Sequence, residues 1–94
     1  MKYYAISGND VVYSCSHIAW MRKNVEKHQA FNRSVWGWCD GVSIVTDTGR
    51  HIEYWCEDGT ILRSEKGTKI PSRDRDRISG LIQAFEKRCE NLLT

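Results

Sequence analysis

Most of the features by which a sequence reveals its chemistry are missing here. The 94 residues contain one proline and no C-x-x-C pair among Cys15, Cys39, Cys56 and Cys89. Structural zinc sites usually show paired, closely spaced ligands. A zinc site built from Cys15, His17, His51 and Cys56 would lack them, so neither a metal nor another cofactor is expected. The cysteines sit inside apolar patterns and read as free thiols of a reducing compartment. No apolar run approaches the ~20 residues of a membrane span. Met1-Lys2-Tyr3-Tyr4 does not open a secretion signal. The expectation is a soluble, cytoplasmic chain with no membrane partner. There is no G-x-x-x-x-G-K-[ST] loop, no G-x-S-x-G elbow and no H-E-x-x-H pair. No catalytic residue is assigned, and an enzyme is not the expectation. The net charge is only +2, too small for a global field to drive nucleic-acid binding.

What is present is aromatic. Four tryptophans, four tyrosines and two phenylalanines fall in a chain of 94 residues, a length that makes one domain (residues 1–94) with one modest core. Charge is unevenly spread. Residues 40–58 hold five acids and one base, and residues 63–77 hold six bases and three acids. A split of this kind suits docking to a partner, although mixed runs such as Arg73-Asp74-Arg75-Asp76-Arg77 are usually solvated.

The pattern predicts an α+β fold, an antiparallel sheet of five to six strands packed by a C-terminal amphipathic helix. Lys2–Ser7 and Val11–Cys15 read as a hairpin about Gly8-Asn9-Asp10. Ser16 can cap a helix to about Ala30, whose narrow stripe is Ile18, Met21 and Val25, with Trp20, Lys23 and Lys27 pointing away. Three turn signals follow: Asp40-Gly41, Asp47-Thr48-Gly49 and Glu57-Asp58-Gly59. They predict a meander of strands over 35–39, 42–46, 50–56 and 60–64. Ser72 then caps a helix with the stripe Ile78, Leu81, Ile82, Phe85, Cys89, Leu92 and Leu93, which must cover something.

Loop lengths fix register, and register fixes faces. Cys39 would pair with Val42, Thr46 with Arg50 and Cys56 with Thr60. Glu53 would then oppose Arg63, an opposite-charge pair. One face would hold Cys39, Val42, Ile44, Ile52, Tyr54, Cys56 and Leu62, and would take the C-terminal helix, with Gly37 allowing close approach. The other would hold Trp36, Trp38, Val45, Trp55 and Ile61, with Ser43, His51, Glu53 and Arg63.

The tryptophan face has two accounts: burial under the first helix, or an open contact surface. Trp and Arg dominate binding hot spots, and the expected partner-binding residues are Trp36, Trp38 and Trp55, rimmed by His51 and Arg63. The partner would be a protein or a second copy of the chain. The profile is similar to that of small phage or mobile-element proteins that bind and block a host or defence complex, a likeness of type that no residue carries. A second expectation is a single-stranded nucleic-acid binder with Lys66, Lys69, Arg73 and Arg75 on phosphate. A third is a small nuclease-like enzyme using His51 and Glu53 as an acid–base pair.

Overall fold

The computed structural model describes residues 1–93, without the side chains of residues 65, 66 and 93. Lys66, one of the four expected phosphate ligands, therefore lies outside the described side chains. The chain runs β1 (Tyr3–Ser7), β2 (Asp10–Cys15), α1 (Ile18–Trp36), β3 (Val42–Thr46), β4 (Arg50–Trp55), β5 (Ile61–Lys69) and α2 (Ser72–Leu93). The strands form one antiparallel sheet of order β2-β1-β3-β4-β5. This is the α+β arrangement the pattern predicts: a hairpin, a helix, a meander and a closing helix.

Alternation along the strands produces two cores. Ala5, Val42, Ile44 and Trp55 pack with Met21 and Val25 of α1, and with Tyr3, Tyr13, Cys15 and Ile18 around them. Tyr4, Ile6, Val11, Val45 and Ile70 form the other cluster, against Ile78, Leu81, Ile82 and Phe85 of α2. The sheet is thus the middle of three layers. The α2 layer is the looser one, since none of its described residues is fully buried. Tyr4 Oη and Lys2 Nζ hold it down by donating to Glu86 Oε1 at 2.5 and 2.7 Å.

Two of the turns behave as their sequences require. Gly49 sits at φ 81° behind Asp47-Thr48, and its N–H donates to Thr46 O. That is the three-residue loop with glycine in the left-handed region. The β4–β5 register also follows the sequence, with Trp55 opposite Ile61, Tyr54 opposite Leu62 and Glu53 opposite Arg63.

Three expectations are corrected. Residues 35–39 are not a strand: α1 continues through Trp36 and ends at Gly37, whose φ of 81° makes it the left-handed cap, its N–H donating to Arg33 O. Asp40-Gly41 is accordingly a helix-to-strand connection and not a hairpin turn. Gly41 is needed for space, because a Cβ there would collide with the Tyr54 hydroxyl. The start of α1 also moves, to a His17 cap that makes no side-chain hydrogen bond.

The third correction is a β-bulge. Val45 pairs with His51 but Ile44 pairs with Glu53, so Ile52 is the extra residue. A single inserted residue exchanges the faces of everything beyond it. Trp55 and Glu53 therefore join Val42 and Ile44 under α1. Tyr54 shares the face of Ser43 and Val45. The C-terminal helix covers the face of Val45, not that of Val42 and Ile44.

Candidate functional site

The three tryptophans do not share a face. Trp55 is 6% exposed, at the centre of the α1-side core. Trp36 and Trp38 lie outside the sheet, at the last residue of α1 and in the loop after its cap, 68% and 62% exposed. They stay together nonetheless, lining a concavity of about 360 Å³ with Asn32, Cys39 and Asp40.

Their exposure follows from lengths. Nineteen helical residues extend roughly 28 Å, whereas strands of five or six residues cover only about 17–20 Å. The stripe of α1 that faces the sheet runs Ile18, Met21, Val25 and Gln29. Its next members at helical spacing are Asn32 and Trp36, and Trp36 comes where the sheet has ended. A tryptophan thus occupies a core-facing position with no core beneath it. The overhang is anchored at its base. Gln29, 2% exposed, donates from Nε2 to Asp40 O at 3.1 Å and to Trp55 O at 3.3 Å. Arg33 Nη2 and Cys39 Sγ reach Glu57 O in the β4–β5 turn.

The aromatic surface extends along the outer flank of α1. Trp20, Lys23, Lys27, Phe31 and Val35 recur at helical spacing on that side, and all are exposed, Phe31 at 65%. α1 carries Arg22, Lys23, Lys27 and Arg33 against Glu26 alone. The helix therefore presents apolar groups in a positive setting. Exposed apolar groups clustered in this way usually mark a contact site.

Arg63 belongs to a different arrangement. Glu53 is fully buried, and its Oε1 accepts from Arg22 Nε at 2.7 Å and from Arg63 Nε at 2.6 Å. Its Oε2 accepts from Trp55 Nε1 at 3.0 Å. A buried carboxylate needs such partners, and this one ties α1 to β4 and β5. Arg63 still faces water on its outer side, but it does not line the Trp36–Trp38 concavity.

His51 lies opposite Val45, on the α2 side by register. Burial lowers its pKa, partly offset by a backbone group of Glu53. Its Nε2 is buried without a hydrogen-bond partner among the described residues. No hydrogen bond joins it to the Glu53 carboxylate, whose oxygens are taken by Arg22, Arg63 and Trp55. The expected acid–base pair is therefore not assembled.

Among the expected phosphate ligands, Lys69 and Arg75 both border a groove beside the β3–β4 turn, and Arg73 is exposed outside it. The sequence reading missed Phe31 and Val35, because it ended the helix at Ala30. It also missed Arg22, whose role depends on the bulge that turns Glu53 inward. The four cysteines are free thiols, and no cluster of three potential metal-binding side chains occurs among the described residues. No helix among them is long and apolar enough to cross a membrane. No protein-family model matches the chain, and comparison with curated proteins and with solved structures found no significant match.

Proposed function

We propose that this chain is a protein-binding module whose contact surface is the overhanging end and outer flank of α1. It acts by occluding the surface it covers, in the manner of small phage or mobile-element inhibitors of host complexes. The observation that carries the reading is the joint exposure of Trp36, at a core-facing helix position that has run past its sheet, of Trp38 just beyond the helix cap and of Phe31 on the outer flank. Trp36 and Trp38 supply the aromatic anchors around which interfaces concentrate their energy. The bases of α1 favour a partner that offers an apolar pocket rimmed by acids. Trp55 is not a contact in this reading, and Arg63 acts through Glu53 to hold α1 in place.

The nucleic-acid reading is less well supported, because strand binding places stacked aromatics beside a cationic track. Here the exposed tryptophans sit near the start of β3 on the α1 side. Lys69 and Arg75 border a groove by the β3–β4 turn, at the other end of β3.

The test compares capture of host proteins by the native chain and by a Trp36→Ala/Trp38→Ala variant whose fold is verified by circular dichroism. A defined protein held by the native chain and lost by the folded variant supports the reading. Equal retention by both removes it. Concentration-dependent dimerisation abolished by the same substitutions would identify a second copy as the occupant.

A further inference from the structure

The two edges of the sheet differ. β5 is interrupted, since residues 64–67 oppose Ile52 alone between the Glu53–Arg63 and His51–Thr68 pairs. A bulge of that kind twists an edge away from further pairing. β2 is the other edge, with β1 its only strand partner among the described residues. An edge strand turns a row of N–H and C=O groups outward, a template for one more strand, and sheets commonly blunt it with lysine, proline or a covering helix. β2 contains neither lysine nor proline.

α1 runs beside this edge without closing it. A groove of about 330 Å³ lies between them, with Val12 and Tyr13 on the strand side and Val25, Lys27 and Phe31 on the helix side. β2 has a bulge of a single residue, Val12, between the Ala5–Tyr13 and Ile6–Val11 pairs. Bulges at sheet edges re-aim side chains, and this one sets Val12 next to Tyr13 along the groove. Val12 is 37% exposed, and neither it nor Phe31 belongs to either core. The charge here has one sign. Lys27 borders the groove, exposed Lys23 is one helical turn away, and no acid lines it among the described residues.

We propose that β2 accepts an extended segment of a partner protein as a sixth strand of the sheet. An apolar side chain of that segment sits between Val12 and Phe31, and acidic side chains lie toward Lys23 and Lys27. In strand addition, main-chain hydrogen bonds give affinity and pockets for alternate side chains give specificity. Residues two apart on a strand share a face, so the matching pattern is an apolar residue with acids two positions away. A second copy of the chain fits less well. Two β2 strands paired antiparallel about a two-fold axis normal to the sheet put both α1 helices on one face, lysines toward lysines, and like charges across an interface are costly. The inference rests on the protein-binding reading and adds the form of the partner to it.

The test selects roughly ten-residue peptides, as long as the longer natural strands, from a random displayed library on the native chain. The enriched peptide is then synthesised and mapped by amide-resolved NMR. It should carry the apolar–acidic pattern, protect amides of residues 11–15 from exchange and shift those of residues 23–31. Two analogues, N-methylated at alternate residues in opposite phase, keep the side chains but lose main-chain donors along one edge or the other. One should lose binding and the other keep it. Phe31→Ala and Lys27→Glu, both at exposed positions, should each weaken binding about fivefold or more, whereas Trp36→Ala/Trp38→Ala should leave it unchanged. No enriched peptide, the same response to both methylation patterns, or full affinity in Phe31→Ala would overturn the inference. Peptides that map to Trp36 and Trp38 would also overturn it, while upholding the protein-binding surface.

Discussion

Replacing tryptophans one at a time should separate the core from the surface. Trp55→Ala removes a buried indole, which typically costs about 3–5 kcal/mol. It also strips Glu53 Oε2 of its only donor among the described residues, and an unsatisfied buried acceptor costs about 1–3 kcal/mol more. A domain of this length is stable by roughly 5–14 kcal/mol, so Trp55→Ala should lose a large part of its stability or fail to fold. Trp55→Phe keeps most of the ring but not the N–H, and should cost about 1–3 kcal/mol, chiefly for the lost donor. Trp36→Ala and Trp38→Ala leave the core untouched and should stay within about 0.5 kcal/mol of the native chain, as exposed substitutions do. Urea unfolding followed by circular dichroism measures all four, since that signal does not depend on the tryptophans removed. Similar losses at positions 36, 38 and 55 would refute the division. So would a Trp55→Ala variant as stable as the native chain.

Two further outcomes follow from the buried polar groups. Glu53→Gln should cost about 2–4 kcal/mol by urea unfolding, less than a fully buried pair would lose because Arg22 and Arg63 can turn to water. Arg22→Gln and Arg63→Gln should each cost less than Glu53→Gln, since the other arginine stays on the carboxylate; a cheaper Glu53→Gln would contradict this role. His51 has its pKa held below the ordinary 6.5 by burial. Above 6.5 the imidazole is neutral whether the chain is folded or not. As pH falls from there toward the folded pKa, the unfolded chain takes the proton first, and stability drops. The urea midpoint should therefore fall more on acidification in the native chain than in His51→Gln, and parallel curves would argue against a buried imidazole.

The sequence carried the fold wherever a local signal had one meaning. Gly49 and Gly59 placed β3, β4 and the start of β5, and the Glu53–Arg63 pairing emerged from turn length alone. The seven-residue apolar stripe after Pro71 required α2. Residues 35–39 misled because Val35, Trp36 and Trp38 favour strands, and because polar Gln29 and Asn32 interrupt the stripe that continues α1. The corrective signal was Gly37, in the position of a left-handed helix cap. The bulge at Ile52 had no such signal. Neither glycine nor proline marks it, and its position reflects the fit of Glu53 to Arg22 and Trp55, a long-range choice that local patterning does not encode. For that reason the aromatic content was legible, while its division between core and surface required the structure.

The most direct test of the proposed contact surface is acrylamide quenching of tryptophan emission, with and without the bound partner. The free chain should show red-shifted, readily quenched emission from Trp20, Trp36 and Trp38, with a protected component from Trp55. Partner binding should shrink the quenchable fraction, and that change should vanish in a Trp36→Phe/Trp38→Phe variant. A uniformly protected, blue-shifted spectrum in the free chain, or quenching unaltered by a saturating partner, would contradict the account.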